Sequence, residues 1–227
     1  MKRGLIWFFA VASSLSLLIS PETPASPGKL ITVCPSGCDY SDLQSALNYI
    51  HTQVPGPTNV YTVLLEAGIH SSDSSITLNG DGYINIVGRG IGASILQASA
   101  LWFQNNAGLS EANFLNLVGS THVVLQDLTI DARSLDPGGV GTGTTYRTVG
   151  VGPATVPVSQ TIKGCEVLGL TSAVHEDASS IGGTVDIITS RIIGDRNGIR
   201  IYGTLWHVFS SDIHAEPRSG ASGFPTS

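Results

Sequence analysis

The sequence is short of charged residues. Only 12% of its 227 residues are Asp, Glu, Lys or Arg, whereas 41% are hydrophobic, and ordinary soluble proteins carry about twice that share of charge. This balance excludes an intrinsically disordered chain and a coiled coil, and it predicts a buried core. The 11 basic residues form no cluster and the net charge is −6. The sequence therefore excludes the basic footprint of a protein that binds nucleic acid.

Helical periodicity is scarce as well. Apolar residues recur at helical spacing over residues 42–51, and Ser41 with Gln44 fits a capping box at the start of this segment. No later segment has a helical pattern. The chain has 27 glycines instead, and the β-branched runs between them predict strands of roughly three to five residues. The first of these predicted strands cover residues 62–65, 75–78, 84–87 and 94–96.

The one long apolar run lies at the N-terminus. A basic start, an apolar stretch over residues 4–19 and a Pro/Ser-rich exit are typical of a secretory signal peptide. We expect this signal peptide to cover residues 1–25, with cleavage after Ser20 or Ala25; an uncleaved membrane anchor is the alternative. The protein is accordingly expected to be secreted or to lie at the cell surface or in the periplasm, with no membrane span after cleavage.

Three cysteines follow in what would be an oxidising compartment. Cys34 and Cys38 enclose the turn-forming sequence Pro-Ser-Gly, which predicts a disulfide closing a small loop. A metal site is the alternative, but no further Cys or His follows nearby. Cys165 lies in an apolar pattern, so we expect it to be a buried free thiol.

An internal repeat specifies how the strands are arranged. Four segments superpose without gaps, and they span residues 123–130, 160–167, 185–192 and 206–213. The last residues of these segments form one apolar column: Ile130, Val167, Ile192 and Ile213. Constant strands joined by loops of unequal length are typical of stacked coils, in which equivalent strands run parallel about 4.8 Å apart. We therefore predict an all-β fold, a right-handed parallel β-helix with one N-terminal capping helix.

These features divide the chain into three parts. After the signal peptide, residues 26–60 are expected to form an N-terminal cap with the disulfide and the helix, and residues 61–227 are expected to form the coils. Residues 218–224 fall where another strand is due, and no apolar cap follows them. We therefore expect a chain that lacks further C-terminal coils.

A second strand in each coil predicts a candidate site. It places an apolar column on the inside: Val149, Val174 and Ile199. His175 and Arg200 are then expected side by side on the outside of adjacent coils, and Asp177 and Tyr202 repeat that relationship two residues further on. Arg147 ends a glycine-rich insertion over residues 136–146, which could wall a groove beside them.

The residue types at this site suit acidic sugars. Arg200 is a candidate to hold a uronate carboxylate while His175 acts as the base for the C5 proton, so we predict both as catalytic residues. Arg147, Asp177 and Tyr202 are predicted substrate-binding residues, Tyr202 through the flat face of its ring. The alternative is that outward residues on a β-helix are simply solvated.

Several segments resemble the pectin lyase-like superfamily. Residues 31–40 and the helix at 43–47 are similar to its N-terminal cap, residues 64–70 and 86–90 are similar to its first coils, and the later repeats resemble its right-handed β-helix repeats. The resemblance covers most of residues 31–215 and implies the same fold. It leaves the activity open, because the superfamily includes pectate lyases, pectinesterases, polygalacturonases, phage tailspikes and non-catalytic adhesins.

One motif carries an implied catalytic role. Residues 183–188 are similar to the pectinesterase signature around the nucleophilic aspartate, and this resemblance implies Asp186 as a third catalytic residue. The Gln-Asp-Thr-Leu and Gly-Arg-Pro-Trp elements of that family are absent, and so are the polygalacturonase motifs.

Two functions from different classes remain open. The first is a secreted enzyme that degrades polysaccharide, by lyase, esterase or hydrolase chemistry; the second is a non-catalytic β-helix that binds polysaccharide or has a structural role. Both predict a monomer with a polysaccharide partner and no cofactor, except that Ca²⁺ could bridge an acidic glycan to an acidic protein.

Overall fold

A computed structural model describes residues 29–135, 144–152, 157–177 and 182–216. The predicted signal peptide, most of the glycine-rich insertion and the strand expected at 218–224 lie outside the described residues. The elements of the described part are, in chain order, β1 Lys29–Val33, α1 Leu43–Thr52, β2 Tyr61–Leu65, β3 Gly68–Ser72, β4 Ile76–Thr77, β5 Ile84–Val87, β6 Ser94–Ala98, α2 Ala100–Asn105, β7 Glu111–Asn116, β8 Val123–Gln126, β9 Thr129–Ala132, β10 Thr145–Val151, β11 Val158–Lys163, β12 Glu166–Gly169, β13 Ser172–Glu176, β14 Gly183–Ile188, β15 Arg191–Gly194, β16 Asn197–Arg200, β17 Leu205–Phe209 and β18 Asp212–Ala215.

The strands form three parallel sheets that share one core. A seven-stranded sheet has the order β1-β2-β5-β8-β11-β14-β17, a five-stranded sheet β16-β13-β10-β7-β4, and a six-stranded sheet β18-β15-β12-β9-β6-β3. Neighbours within a sheet come from successive turns of the chain, so each coil of the middle region adds one strand to each sheet. The fold is a right-handed parallel β-helix, and the predicted fold class is confirmed.

The predicted core column has the register that the repeat requires. Val167 pairs with Ile130 and Ile192, and Ile192 pairs with Ile213. The first three side chains are fully buried, because each stacks on the equivalent apolar residue of the next coil. Identical stacking positions explain why a pattern of short strands specifies this fold.

The cysteines have the predicted states. Cys34 and Cys38 form a disulfide, and Cys165 is a buried free thiol. Burial raises the pKa of Cys165 to about 12, so the thiol stays protonated at neutral pH and is a poor nucleophile.

The N-terminal helix forms as predicted, but its cap differs. Asp42, not Ser41, is the N-cap residue, and its carboxylate accepts a hydrogen bond from the Ser45 amide at 2.8 Å. The predicted capping box is wrong because Gln44 turns away from the helix start. Its side chain binds the backbone of Thr77 in β4 at 2.8 and 3.2 Å, which ties the helix to the first coils.

A second helix, α2, was not predicted. Ser99 caps it by accepting hydrogen bonds from the amides of Leu101 and Trp102. Trp102 and Phe103 are fully buried and pack against Tyr146, at 5.5 Å between ring centroids in both pairs. The expectation of no later helix is wrong because six residues are too few to show a helical period.

Candidate functional site

The outer face of the five-stranded sheet brings most of the predicted site residues together. Val174 pairs with Val149 and Ile199, and His175 pairs with Gly150 on one side and Arg200 on the other. The predicted adjacency of His175 and Arg200 is therefore confirmed at the level of strand register. Parallel pairing places such neighbours about 4.8 Å apart.

Arg147 lies on β10 of the same sheet but is not exposed. Only 3% of its side chain is accessible, and its guanidinium donates to the Asp177 carboxylate at 2.5 Å and forms a second ion pair with Glu111. Asp177 remains 31% exposed. Glu111 escaped the sequence analysis because it belongs to β7, a strand that the pattern did not reveal. The structure thus makes Arg147 an anchor for two carboxylates.

His175 occupies an outward position but is buried. Its exposed fraction is 1%, and its ring meets the ring of Tyr202 in a T-shaped contact with centroids 5.6 Å apart. Burial, and then the positive charges of Arg147 and Arg200, lower the pKa of His175 to about 4. The imidazole is therefore neutral at physiological pH. The expectation that outward residues here are solvated is wrong for His175 because side chains of neighbouring coils cover it.

Arg200 and Tyr202 form an exposed pair. The guanidinium carbon of Arg200 lies 5.1 Å from the centre of the Tyr202 ring, and Tyr202 is 47% exposed. Arg89, Arg133 and Arg191 each contact a carboxylate, as Arg147 does. Arg200 has no carboxylate partner among the residues that the structure describes. Its charge is thus available to an acidic ligand.

Glu176 is a residue of this region that sequence reasoning missed. It is fully buried, and its carboxylate accepts from the backbone amides of Tyr202 at 2.7 Å, Gly203 at 3.1 Å and Thr204 at 2.6 Å. The Thr204 hydroxyl and the Trp206 indole also donate to it. The alternation of β13 placed Glu176 on the inside, and an acid in a core position was the available signal. Glu176 fixes the turn that presents Tyr202.

The hydrogen bonds to Glu176 also set its protonation. Burial by itself would raise the pKa of this carboxyl, but the donors from Thr204, Tyr202 and Trp206 outweigh burial and hold the pKa below its ordinary value of 4.5. Glu176 is therefore an ionised, fully enclosed carboxylate at neutral pH.

Asp186 lies away from the other candidates. It is on β14 of the seven-stranded sheet, where its carboxylate contacts Nδ1 of His207 at 2.8 Å. The two side chains are 30% and 42% exposed. The structure does not bring Asp186 together with His175 or Arg200, because the two groups project from different sheets.

The described residues hold no group of three or more His, Cys, Asp or Glu side chains placed to bind a metal ion. Within the same ranges, no helix has the length and apolar character that a membrane span requires.

Comparison with known proteins identifies the fold and no more. No family model matches the chain, and no curated protein matches it. Among the solved structures that share its architecture are a pectin methylesterase variant in complex with a hexasaccharide and the pectin methylesterase PemA from Erwinia chrysanthemi. Each superposes with a TM-score of 0.50 at 15% identity and covers 72% of this chain. The chain spans about half of each of them, 49%. The likeness shows that the chain shares the fold of these two structures.

Proposed function

We propose that this protein binds an acidic polysaccharide of the pectin type on the outer face of the five-stranded sheet. The observation that carries the proposal is the exposed guanidinium of Arg200, which has no carboxylate partner among the described residues and stacks on a half-exposed tyrosine ring. A guanidinium recognises a carboxylate through paired hydrogen bonds, and a flat aromatic ring packs against the face of a sugar.

The surroundings of the pair support this assignment. Arg147 holds Asp177 beside the site, so a polar and partly exposed carboxylate is available for sugar hydroxyl groups. One of the solved structures with this fold, a pectin methylesterase variant, holds a hexasaccharide. We further propose that the protein is exported, because the N-terminal sequence has the order of a signal peptide and the disulfide is typical of an oxidising compartment.

Binding can be measured directly by titrating the protein with polygalacturonate and with a neutral glucan. Arg200→Ala is expected to weaken binding of polygalacturonate about tenfold, which corresponds to about 1.4 kcal/mol. Arg191→Ala is the matched control, because Arg191 is also exposed but already paired with Glu166 on the six-stranded sheet. The proposal fails if both variants bind like the wild type, or if the neutral glucan binds equally well.

A second candidate function is hydrolysis of a methyl ester on the same face. Asp177 favours it, because a buried guanidinium orients this carboxylate while leaving it partly exposed, as a nucleophile requires. Release of methanol from methyl-esterified pectin that is lost in Asp177→Asn but kept in Asp186→Asn would establish it. Formation of an unsaturated product, abolished in His175→Ala, would instead indicate lyase chemistry, one of the reaction types that the sequence left open.

A further inference from the structure

Four buried polar atoms without a hydrogen-bond partner belong to residues on three adjacent strands of the five-stranded sheet. They are Oδ1 of Asn113, Nε of Arg147, Oγ of Ser172 and Nδ1 of His175. Buried polar atoms are rarely left unpaired, because each one loses its hydrogen bonds to water without replacing them. Four such atoms on three adjacent strands leave hydrogen-bonding capacity that a molecule other than the protein can use.

Strand register relates the four residues to one another. Asn113, Arg147 and Ser172 are partners on consecutive strands β7, β10 and β13, so neighbouring residues lie about 4.8 Å apart. His175 is further along β13, where it pairs with Gly150. The amide of Asn113 lies over Gly150, since a Cβ atom there would be 2.5 Å from its Nδ2. The missing side chain at Gly150 thus leaves room for Asn113 to approach His175.

The charges around this cluster favour a neutral ligand group. Arg147 already holds Asp177 and Glu111, so a further anion would meet two carboxylates. A cation would meet the positive charges of Arg147 and Arg200. A hydroxyl group fits the remaining atoms, because it can accept from the Arg147 Nε–H and donate to the Asn113 oxygen or the His175 nitrogen.

We propose that Asn113, Arg147, Ser172 and His175 form an inner subsite beneath Tyr202 that binds a ring hydroxyl group of a saccharide. The proposal rests on the proposed function in so far as the saccharide arrives at Arg200. Entry requires the Tyr202 ring to turn aside, and this ring is half exposed, with no hydrogen bond from its hydroxyl to any residue that the structure describes.

The subsite has a consequence for specificity. An O-acetylated ring oxygen cannot donate a hydrogen bond, and its acetyl group needs space that an enclosed site does not offer. A site built to bind a hydroxyl group rejects an analogue that lacks it. The protein should therefore prefer saccharides with free ring hydroxyl groups to O-acetylated ones that carry the same carboxylates.

The test compares the affinities of hexagalacturonate and its O-acetylated form, with four proteins. We expect the wild type to prefer the free form at least about tenfold. Ser172→Ala and His175→Leu should lose that preference. Ser172→Ala is included because it is the smaller change and keeps the test open if His175→Leu does not fold. Ser120→Ala is the matched control, because it also removes a buried unpartnered hydroxyl, outside the cluster. Equal affinities in the wild type, or a preference that survives both cluster variants, would overturn the proposal.

A second measurement separates this subsite from the proposed function. Methyl β-galactopyranoside has ring hydroxyl groups but no carboxylate, so it does not depend on Arg200. Added to protein with ¹⁵N-labelled histidine, it should shift the imidazole nitrogen resonances of His175 in the wild type and not in Ser172→Ala. If hexagalacturonate does not bind and this shift still occurs, the acidic-glycan function fails and the subsite stands. If neither probe shifts the His175 resonances, the subsite is wrong.

Discussion

Two histidines and their acidic neighbours differ in how far this fold buries them. On the seven-stranded sheet, His207 and Asp186 contact each other at 2.8 Å and both remain partly exposed. On the five-stranded sheet, His175 is almost fully buried, and the adjacent Glu176 is fully buried with five donors around its carboxylate.

The difference shows where polar residues contribute most to the stability of a β-helix. An exposed ion pair is screened by water and contributes little to stability, whereas a buried polar group is costly to leave unpaired. Both regions expose parallel strands with alternating side chains. Of these two regions, and among the residues that the structure describes, the five-stranded sheet combines buried polar groups with an exposed guanidinium that has no carboxylate partner. A ligand can use that combination.

The largest effect is expected from Glu176→Ala. The change leaves the amides of Tyr202 and Thr204 and the indole of Trp206 without their acceptor. Breaking a buried charge network costs about 3–5 kcal/mol. Urea unfolding measures the loss. Glu176→Gln keeps one oxygen acceptor and should lose less. A loss below about 1 kcal/mol for Glu176→Ala would mean that the buried carboxylate is not what holds this turn.

A dependence of stability on pH should follow from His175. Its pKa falls from 6.5 to about 4 on folding, so the unfolded state binds the proton more tightly. The contribution of His175 to the free energy of unfolding should therefore be complete above pH 6.5. The free energy of unfolding should fall by about 2 kcal/mol as the pH drops from about 7 to about 4.5.

Unfolding curves of the wild type and His175→Leu at these two pH values test the assignment. In His175→Leu, the free energy of unfolding should fall much less between these two pH values than it does in the wild type. Glu176 adds to the loss in the same direction but at lower pH, because its pKa lies below 4.5 in the folded protein and its stabilisation disappears as the pH falls through that value. A decrease that is the same in both proteins would assign it to other groups.

A smaller effect is expected from Gly150→Ala. The new methyl group would lie 2.5 Å from the Asn113 amide, so Asn113 must move, at a cost of about 1 kcal/mol. Gly56→Ala is the matched control, because a Cβ atom at Gly56 meets nothing within 4 Å. Thermal unfolding of the two variants would contradict this account of the outer face if their midpoints fell equally.

The smallest effect is expected on the seven-stranded sheet. Asp186→Ala removes the contact with His207, but both side chains are partly exposed, and such pairs contribute less than about 1 kcal/mol. A loss comparable to that of Glu176→Ala would end the distinction between the two regions. Binding of polygalacturonate should be unchanged in this variant, since Asp186 projects from a different sheet from Arg200.

The internal repeat predicted the stack of coils, because apolar residues recur at equivalent positions of successive segments in the sequence. It predicted the column of Ile130, Val167, Ile192 and Ile213, and it predicted that His175 and Arg200 are neighbours. It did not predict α2, whose six residues depend on Trp102 and Phe103 finding an aromatic core made by other coils. Strand β7 was missed as well, and with it Glu111.

The sequence by itself determined the architecture, the register of the strands, the Cys34–Cys38 disulfide and the buried thiol of Cys165. These depend on local spacing and on a period that repeats. Only the tertiary structure decided which outward residues are exposed. His175 contacts the ring of Tyr202 from the next coil, and Arg147 pairs with Glu111 in β7 and with Asp177 just after β13. Such contacts join residues far apart in the chain, and neither alternation nor composition records them.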